Sequence, residues 1–268
     1  MLGSVGGSSA LLSSIQNNQS KLLTYFQQLS SGKSINSAAD DPAGMAQSTS
    51  YQVQLSSQAQ AMSGVQNNMS LLDTASGGMS QISDGLQQLN ALAVQAGNGS
   101  LNANDLQSIQ DQMSQLTQGI DQIARNTQFN GQNLLDGSFS SSLQSSGVSV
   151  ALPNLSSAAL GISGLDISSS SGQANAVSAI NNALDLVNSQ QASAGSVSAG
   201  LDAELSNLSD SYTNLSAANS SVSDTDFIKV ISDMAQKTAQ QQASIKALAI
   251  YNKIQKNTLS LISNNANS

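Results

Sequence analysis

Residues 62–93 read MSGVQNNMSLLDTASGGMSQISDGLQQLNALA. Within them Met62, Val65, Met69, Leu72, Ala75, Met79, Ile82, Leu86, Leu89 and Ala93 are separated by threes and fours throughout. Their mean spacing is close to the coiled-coil value of about 3.5 residues, so they fall along one side of a long helix. This stretch decides the fold class. The chain is expected to be mainly α, with long antiparallel helices in a coiled coil or bundle.

Reading outward supports the same class. Upstream, Leu11, Ile15, Leu22, Phe26 and Leu29 fall at helical spacing, predicting an amphipathic N-terminal helix that ends near Gly32. The polar segment GKSINSAADDPAG (32–44) breaks it. Asp41 before Pro42 reads as an N-cap followed by a proline whose missing N–H costs nothing there. Downstream, after AGNGS (96–100), Asn104 and Gln107 offer a capping-box-like start. Leu106, Ile109, Met113, Leu116, Ile120 and Ile123 then alternate by three and four.

Residues 127–172 change character. TQFNGQNLLDGSF (127–139) carries Asn-Gly and Asp-Gly turn signals. Val148, Val150 and Leu152 alternate with Ser149 and Ala151 before Pro153, predicting a short strand in a small β-hairpin region. The Ser and Gly run over 163–172 reads as exposed loop. Ile180, Val187, Ala194, Leu201, Leu208, Leu215 and Val222 then recur every seven residues. Leu184, Leu205 and Tyr212 occupy the complementary seam, where Gln191, Ser198 and Asn219 are polar. The phase survives Gly195 and Gly200, which predicts one helix of roughly 45 residues. Phe227, Ile231, Met234, Ile245, Leu248, Leu259 and Ile262 extend an apolar stripe to the end, after a restart at Ser223 or Asp224. The expected organisation is a terminal helix over 1–40, a helical body over 41–222 with a hairpin and loop region at about 127–172, and a second terminal helix over 223–268.

Composition narrows the chemistry. The chain is 39% hydrophobic, 3% aromatic and 9% charged, whereas compact domains are about a quarter charged. Small aliphatic residues suit close helix seams, where burying each side chain still contributes roughly 1.5–3 kcal/mol. Cysteine and histidine are absent, which removes thiol nucleophiles, disulfides, thiolate metal sites and imidazole acid–base chemistry. Ser30-Ser31-Gly32-Lys33 fits the S-x-x-K pattern of serine acylases, but no S-D-N or K-T-G companion follows. Asp40-Asp41 is better explained by the cap at Asp41 than by paired acid–base carboxylates. Asn-x-Ser sequons at Asn68, Asn98, Asn154, Asn207 and Asn214 are what so Ser- and Asn-rich a chain scatters. No catalytic, metal or cofactor residue is expected.

Charge is uneven. Residues 1–39 carry only Lys21 and Lys33; residues 227–268 carry five lysines against Asp233; the middle holds Arg125 against the remaining fifteen carboxylates. An acidic body between mildly basic ends suits ends that associate beneath a solubilising body. Basic patches studded with aromatics are missing, so nucleic acid is not an expected partner. No run approaches the roughly 18 apolar residues of a membrane span. The opening MLGSVGGSSALLSSIQNN lacks both the basic region and the apolar run of a secretory signal, so any export is expected to use another route. Each terminal helix lies beyond a break from the body and has no partner except the other or another molecule. A helix with an unburied stripe is marginal alone, which predicts ordering on assembly. The candidate polymerisation interface is Leu11, Leu12, Ile15, Leu22, Phe26, Leu29, Phe227, Ile231, Met234, Ile245, Leu248, Leu259 and Ile262.

Four ordered blocks resemble bacterial flagellin. They are LSSGKSINSAADDPAGMA (29–46), LNALAVQAGNG (89–99), IDQIARNTQFNGQNLLDG (120–137) and VSDTDFIKVISDMAQKTAQQQASIKALA (222–249), and LSLIS (259–263) is similar to the family's closing residues. The resemblance implies a structural, non-enzymatic subunit that self-assembles into the extracellular flagellar filament for motility. Its terminal helices would pair as a coiled coil lining the filament's inner tube, and it would be exported unfolded through the type III apparatus. It implies copies of itself, an export chaperone, the filament cap and hook-junction proteins as partners. A hook–filament junction protein, which shares the terminal helices, is the alternative. Residues 138–172 leave room only for a loop or hairpin, so a thin filament without bulky outer domains is expected. Ser34 stands where the family has an arginine, and Gln255 where it has a proline.

The resemblance also bears on immune detection. In family members sensed by Toll-like receptor five, one body helix presents arginines and the next a glutamate. Gln88, Asn90 and Gln112 stand at those positions here, with Leu92 retained. Weak or absent receptor recognition is expected.

Overall fold

The computed structural model describes residues 3–142 and 149–266. Its helices are α1 Gly3–Ser31, α2 Pro42–Ala96, α3 Ala103–Asn126, α4 Ser170–Ser223 and α5 Phe227–Ala266. Between α3 and α4 lie two small antiparallel pairs, β1 Gln128–Phe129 with β2 Gln132–Asn133, and β3 Ser140–Ser142 with β4 Ser149–Ala151. The chain divides into two compact units, one of Met1–Leu55 with Thr213–Ser268 and one of Ser56–Tyr212.

The 56–212 unit holds the main core. Along α2, Val65, Leu72, Ala75, Met79, Ile82, Leu86, Leu89 and Ala93 are buried, the stripe read from their spacing. They share one cluster with Ile109, Met113, Ile120 and Ala124 of α3 and with Ile180, Ala183, Val187, Ala194 and Leu201 of α4. The segment between α3 and α4 closes over this core with Leu134, Leu135, Leu155, Ile162 and Ile167. Its irregular backbone needs side-chain partners, because buried peptide groups cannot stay unpaired. Gln110 supplies two, donating to Leu165 O at 2.6 Å and accepting from Ile167 N at 3.0 Å. Asp121 accepts from Ser157 N at 2.7 Å and Ser157 Oγ at 2.9 Å.

The turn signals act as their chemistry requires. Asn130 and Gly131 both lie in the left-handed region, at φ 50 and 77, as a two-residue hairpin turn demands. Asp41 Oδ1 accepts from Ala43 N at 3.1 Å and opens α2 at Pro42. The strand expected at 148–152 is β4; Val148 itself lies outside the described residues.

Three boundaries differ from the expectation. The capping box of α3 is Asn102 with Asp105, not Asn104 with Gln107. Asn102 stays extended and accepts from the N–H groups of Asn104 and Asp105, while Asp105 accepts from Asn102 N. Helix α4 begins at Ser170, inside the run read as loop, because Ser169 Oγ accepts from Gly172 N at 3.1 Å and caps it. It therefore runs 54 residues. The restart falls at Asp226 rather than Ser223 or Asp224. Asp224 N closes the last turn of α4 on Ser220 O, so it cannot also open the next helix, and Asp226 Oδ1 caps Lys229 N at 3.0 Å.

Adjacent glycines in α2 face different surroundings. A Cβ on Gly77 would meet nothing within 4 Å, whereas one on Gly78 would lie 2.6 Å from Thr127 Oγ1 and 2.8 Å from Leu135 Cδ1. Gly77→Ala should stabilise the unit by about 1 kcal/mol through helix propensity. Gly78→Ala makes the same gain but overpacks at a cost of about 2 kcal/mol, so its urea midpoint should fall. Shifts of the same sign in the two variants would contradict this packing.

Candidate assembly surface

The terminal unit is closed by a short clasp. Where α1 ends, Gly32 takes φ +71, which a Cβ would strain. This turns the chain so that Lys33 pairs with Asp224 as an antiparallel bridge. Ser34 N donates to Ser223 O at 2.7 Å and Thr225 N to Gly32 O at 2.9 Å. Ser34 Oγ also donates to Ser223 O, and Gln28 Nε2 to Ser34 O at 2.9 Å. The clasp thus joins the last turn of α1 to the start of α5, and the two helices pack together antiparallel.

Their seam is narrow. On α1, Leu11, Ile15, Asn18, Leu22, Tyr25 and Leu29 follow the three-and-four spacing and are buried or half-buried. On α5 the matching residues are Val230, Met234, Gln241 and Leu248, of which Val230 is 9% exposed. Apolar side chains are not confined to this seam. Leu12, Leu23 and Phe26 each follow a seam residue by one position, about 100° round the helix, and all three are exposed. Ile228 and Ile250 stand two positions from Val230 and Leu248, about 200° round, and Ile228 is 84% exposed. Phe227, Ile231, Ile245, Ile254, Leu259 and Leu261 are exposed as well.

The thirteen candidate interface residues therefore separate. Leu11, Ile15, Leu22, Leu29, Met234 and Leu248 lie in the seam. Leu12, Phe26, Phe227, Ile231, Ile245 and Leu259 stand open, and the side chain of Ile262 lies outside the described residues. Val230 in the seam, and Leu23, Ile228, Ile250, Ile254 and Leu261 outside it, were missed by the sequence reading. A search for a second stripe one or two positions off the first would have found them.

In the other unit, Gln88 and Leu92 of α2 and Gln112 of α3 line one groove of about 490 Å³ with Ala91, Gln115 and Leu116. Asn90 is engaged elsewhere, its Nδ2 donating to Asn181 Oδ1 of α4 at 2.6 Å. Among the described residues no group of three or more His, Cys, Asp or Glu could hold a metal ion.

Helical regions at both ends of the chain match known families. The model of the bacterial flagellin N-terminal helical region matches residues 6–140, and that of the bacterial flagellin C-terminal helical region matches 177–262. This chain belongs to the bacterial flagellin family. A flagellin of Bacillus subtilis (strain 168) is 32% identical over 291 residues, covering 94% of this chain and 96% of that protein. The flagellar filament 30.7 kDa core protein of Treponema maltophilum is 29% identical, covering 92% and 94%. A flagellin of Shigella flexneri is 34% identical over 197 residues, covering 70% of this chain but only 35% of that longer protein. As a family member the chain is a structural subunit of the flagellar filament, in which flagellins polymerise with copies of themselves outside the cell.

The turn leading into α2 carries an acid-sensitive element of this flagellin. Asp40 Oδ2 accepts from Ser37 Oγ at 3.0 Å, Asn36 N at 3.1 Å and Ser37 N at 2.9 Å. The Ser37 hydroxyl, then the two amides, hold its carboxyl below the ordinary value of 3.8. A depressed carboxylate stabilises the turn above its unfolded pKa, and that contribution is lost as pH falls through the folded value. The amide resonances of Asn36 and Ser37 should therefore titrate with a midpoint below 3.8, and Asp40→Asn should abolish the titration. A midpoint at or above the ordinary value would contradict the assignment.

Proposed function

We propose that this flagellin polymerises through the apolar faces of α1 and α5 that their mutual seam leaves open. One observation carries the reading: α5 is apolar on more than one side, with Ile228 and Ile250 opposite the seam residues Val230 and Leu248. A helix apolar on several sides needs more partners than one seam supplies, and covering each such side chain contributes about 1.5–3 kcal/mol. Lysines at 229, 237, 246, 253 and 256 share α5 with these residues, so the assembling end is basic while the 56–212 unit, with Arg125 against eleven carboxylates, is acidic.

The rest of the reading follows from that role. The chain does no catalysis, is exported unfolded through the type III apparatus and meets an export chaperone, the filament cap and the hook-junction proteins. Residues 152–167 fold back onto the body core through Leu152, Leu155, Leu160, Ile162 and Ile167, which favours a thin filament with no outer domain. Purified protein seeded with filament fragments should elongate into long tubes by negative-stain electron microscopy. Chains lacking residues 1–30 and 230–268, and the double variant Ile231→Asn/Ile254→Asn, should not elongate while their 56–212 unit still melts cooperatively. Normal elongation by the double variant would sink the proposed interface. Failure of the intact chain to extend any seed would favour the hook–filament junction protein.

Toll-like receptor five should respond weakly or not at all. Gln88 and Gln112 present amides to the groove where sensed family members present charges, and Asn90 is held by Asn181. Losing charges that pair across an interface typically costs a few kcal/mol. Potent stimulation of a receptor reporter line by endotoxin-free protein would overturn this.

A further inference from the structure

The chain contains two Asn-Gly pairs, Asn98-Gly99 in the α2–α3 turn and Asn130-Gly131 in the β1–β2 turn. Both are exposed, yet their surroundings differ. In the first, the backbone donors flanking Gly99 are all taken: Gly97 N by Val94 O, Asn98 N by Gln95 O, Ser100 N by Asn98 Oδ1, Leu101 N by Asn98 O and Asn102 N by Asp105 Oδ2. Of the backbone N–H groups of residues 97–102, that of Gly99 alone is left without a partner. The Asn98 side chain is folded forward over that same peptide, because its Oδ1 accepts from Ser100 N at 3.3 Å and from Ser100 Oγ at 3.0 Å.

We infer that Asn98 is a site of spontaneous deamidation, with Gly99 N as the nucleophile and Ser100 as the group that polarises the amide. Hydroxide from solvent removes the Gly99 amide proton, and the nitrogen attacks Asn98 Cγ to close a five-membered succinimide. The Cγ–Nδ2 bond breaks, and Nδ2 takes a proton from water and leaves as ammonia. A second water opens the ring at either carbonyl, yielding aspartate or isoaspartate at position 98. No electrons are transferred. The two donors of Ser100 face the oxygen on which negative charge develops during attack, the placement that stabilises an oxyanion. Gly99 has no side chain to shield its nitrogen. Asn130 and Gly131 are instead held at φ 50 and 77 between paired strands, and turning the Asn130 peptide for ring closure would break that hairpin register. The product adds a negative charge, and in the isoaspartate form an extra backbone carbon, just before the Asn102 cap of α3.

The test incubates the full chain in mildly alkaline buffer and follows both sites by peptide mass mapping and isoaspartyl methyltransferase labelling. Conversion at Asn98 should be several-fold faster than at Asn130 in the same sample. Ser100→Ala should slow Asn98 several-fold and leave Asn130 unchanged. Gly99→Ala, whose Cβ meets nothing within 4 Å and so leaves the fold intact, should nearly abolish conversion at Asn98. Equal or faster conversion at Asn130, or an Asn98 rate unaffected by Ser100→Ala, would overturn the assignment.

Discussion

The apolar stripe of α2 from Met62 to Ala93 cannot be left in water, and covering it organises the 56–212 unit. With so few aromatics, coverage comes from close approach rather than bulk. Where α2 meets its neighbours most tightly it carries glycine: a Cβ on Gly78 would press into Thr127 and Leu135, and one on Gly85 would lie 3.1 Å from Ile120. The irregular segment over the core is held by the amide of Gln110 and the carboxylate of Asp121, which take over the hydrogen bonding that a helix or sheet would supply internally.

The terminal unit answers the same physical demand incompletely. Two helices supply one seam, and each carries more apolar surface than that seam covers. Leu23, Phe26, Ile228 and Ile250 stay exposed beside it. On the interface proposed above, a filament of identical subunits would cover them, because every copy brings both the open faces and the helices that meet them. The clasp at residues 32–34 and 223–225 joins the adjoining ends of these helices through backbone bonds, to which the Ser34 hydroxyl adds a second donor on Ser223 O.

Much of this was legible in the residues. The spacing on α2, α3 and α4 matches the buried sets, and Asp41-Pro42 and Asn130-Gly131 act where their backbone preferences place them. The misses share a cause. Asn102, Asn104, Asp105 and Gln107 are all competent capping residues, and Ser169, Ser223, Asp224 and Asp226 likewise offer several starts. Local chemistry permits each; the capping residue is the one whose backbone stays extended while the next turn closes. The run over 163–172 reads as loop because serine and glycine are poor in helix interiors, yet at a helix start a single Ser hydroxyl is a good cap.

The open faces of α1 and α5 show where sequence stops. By itself the sequence determined that the chain is helical, how its long helices are phased and which stripe of the body is buried, because a three-and-four period on a helix can be covered from one side only. Only the tertiary structure decided which apolar residues of the terminal helices meet each other. Two stripes about 100° or 200° apart on one helix are equivalent until a partner takes one, and the antiparallel clasp makes that choice by setting which side of each helix faces the other.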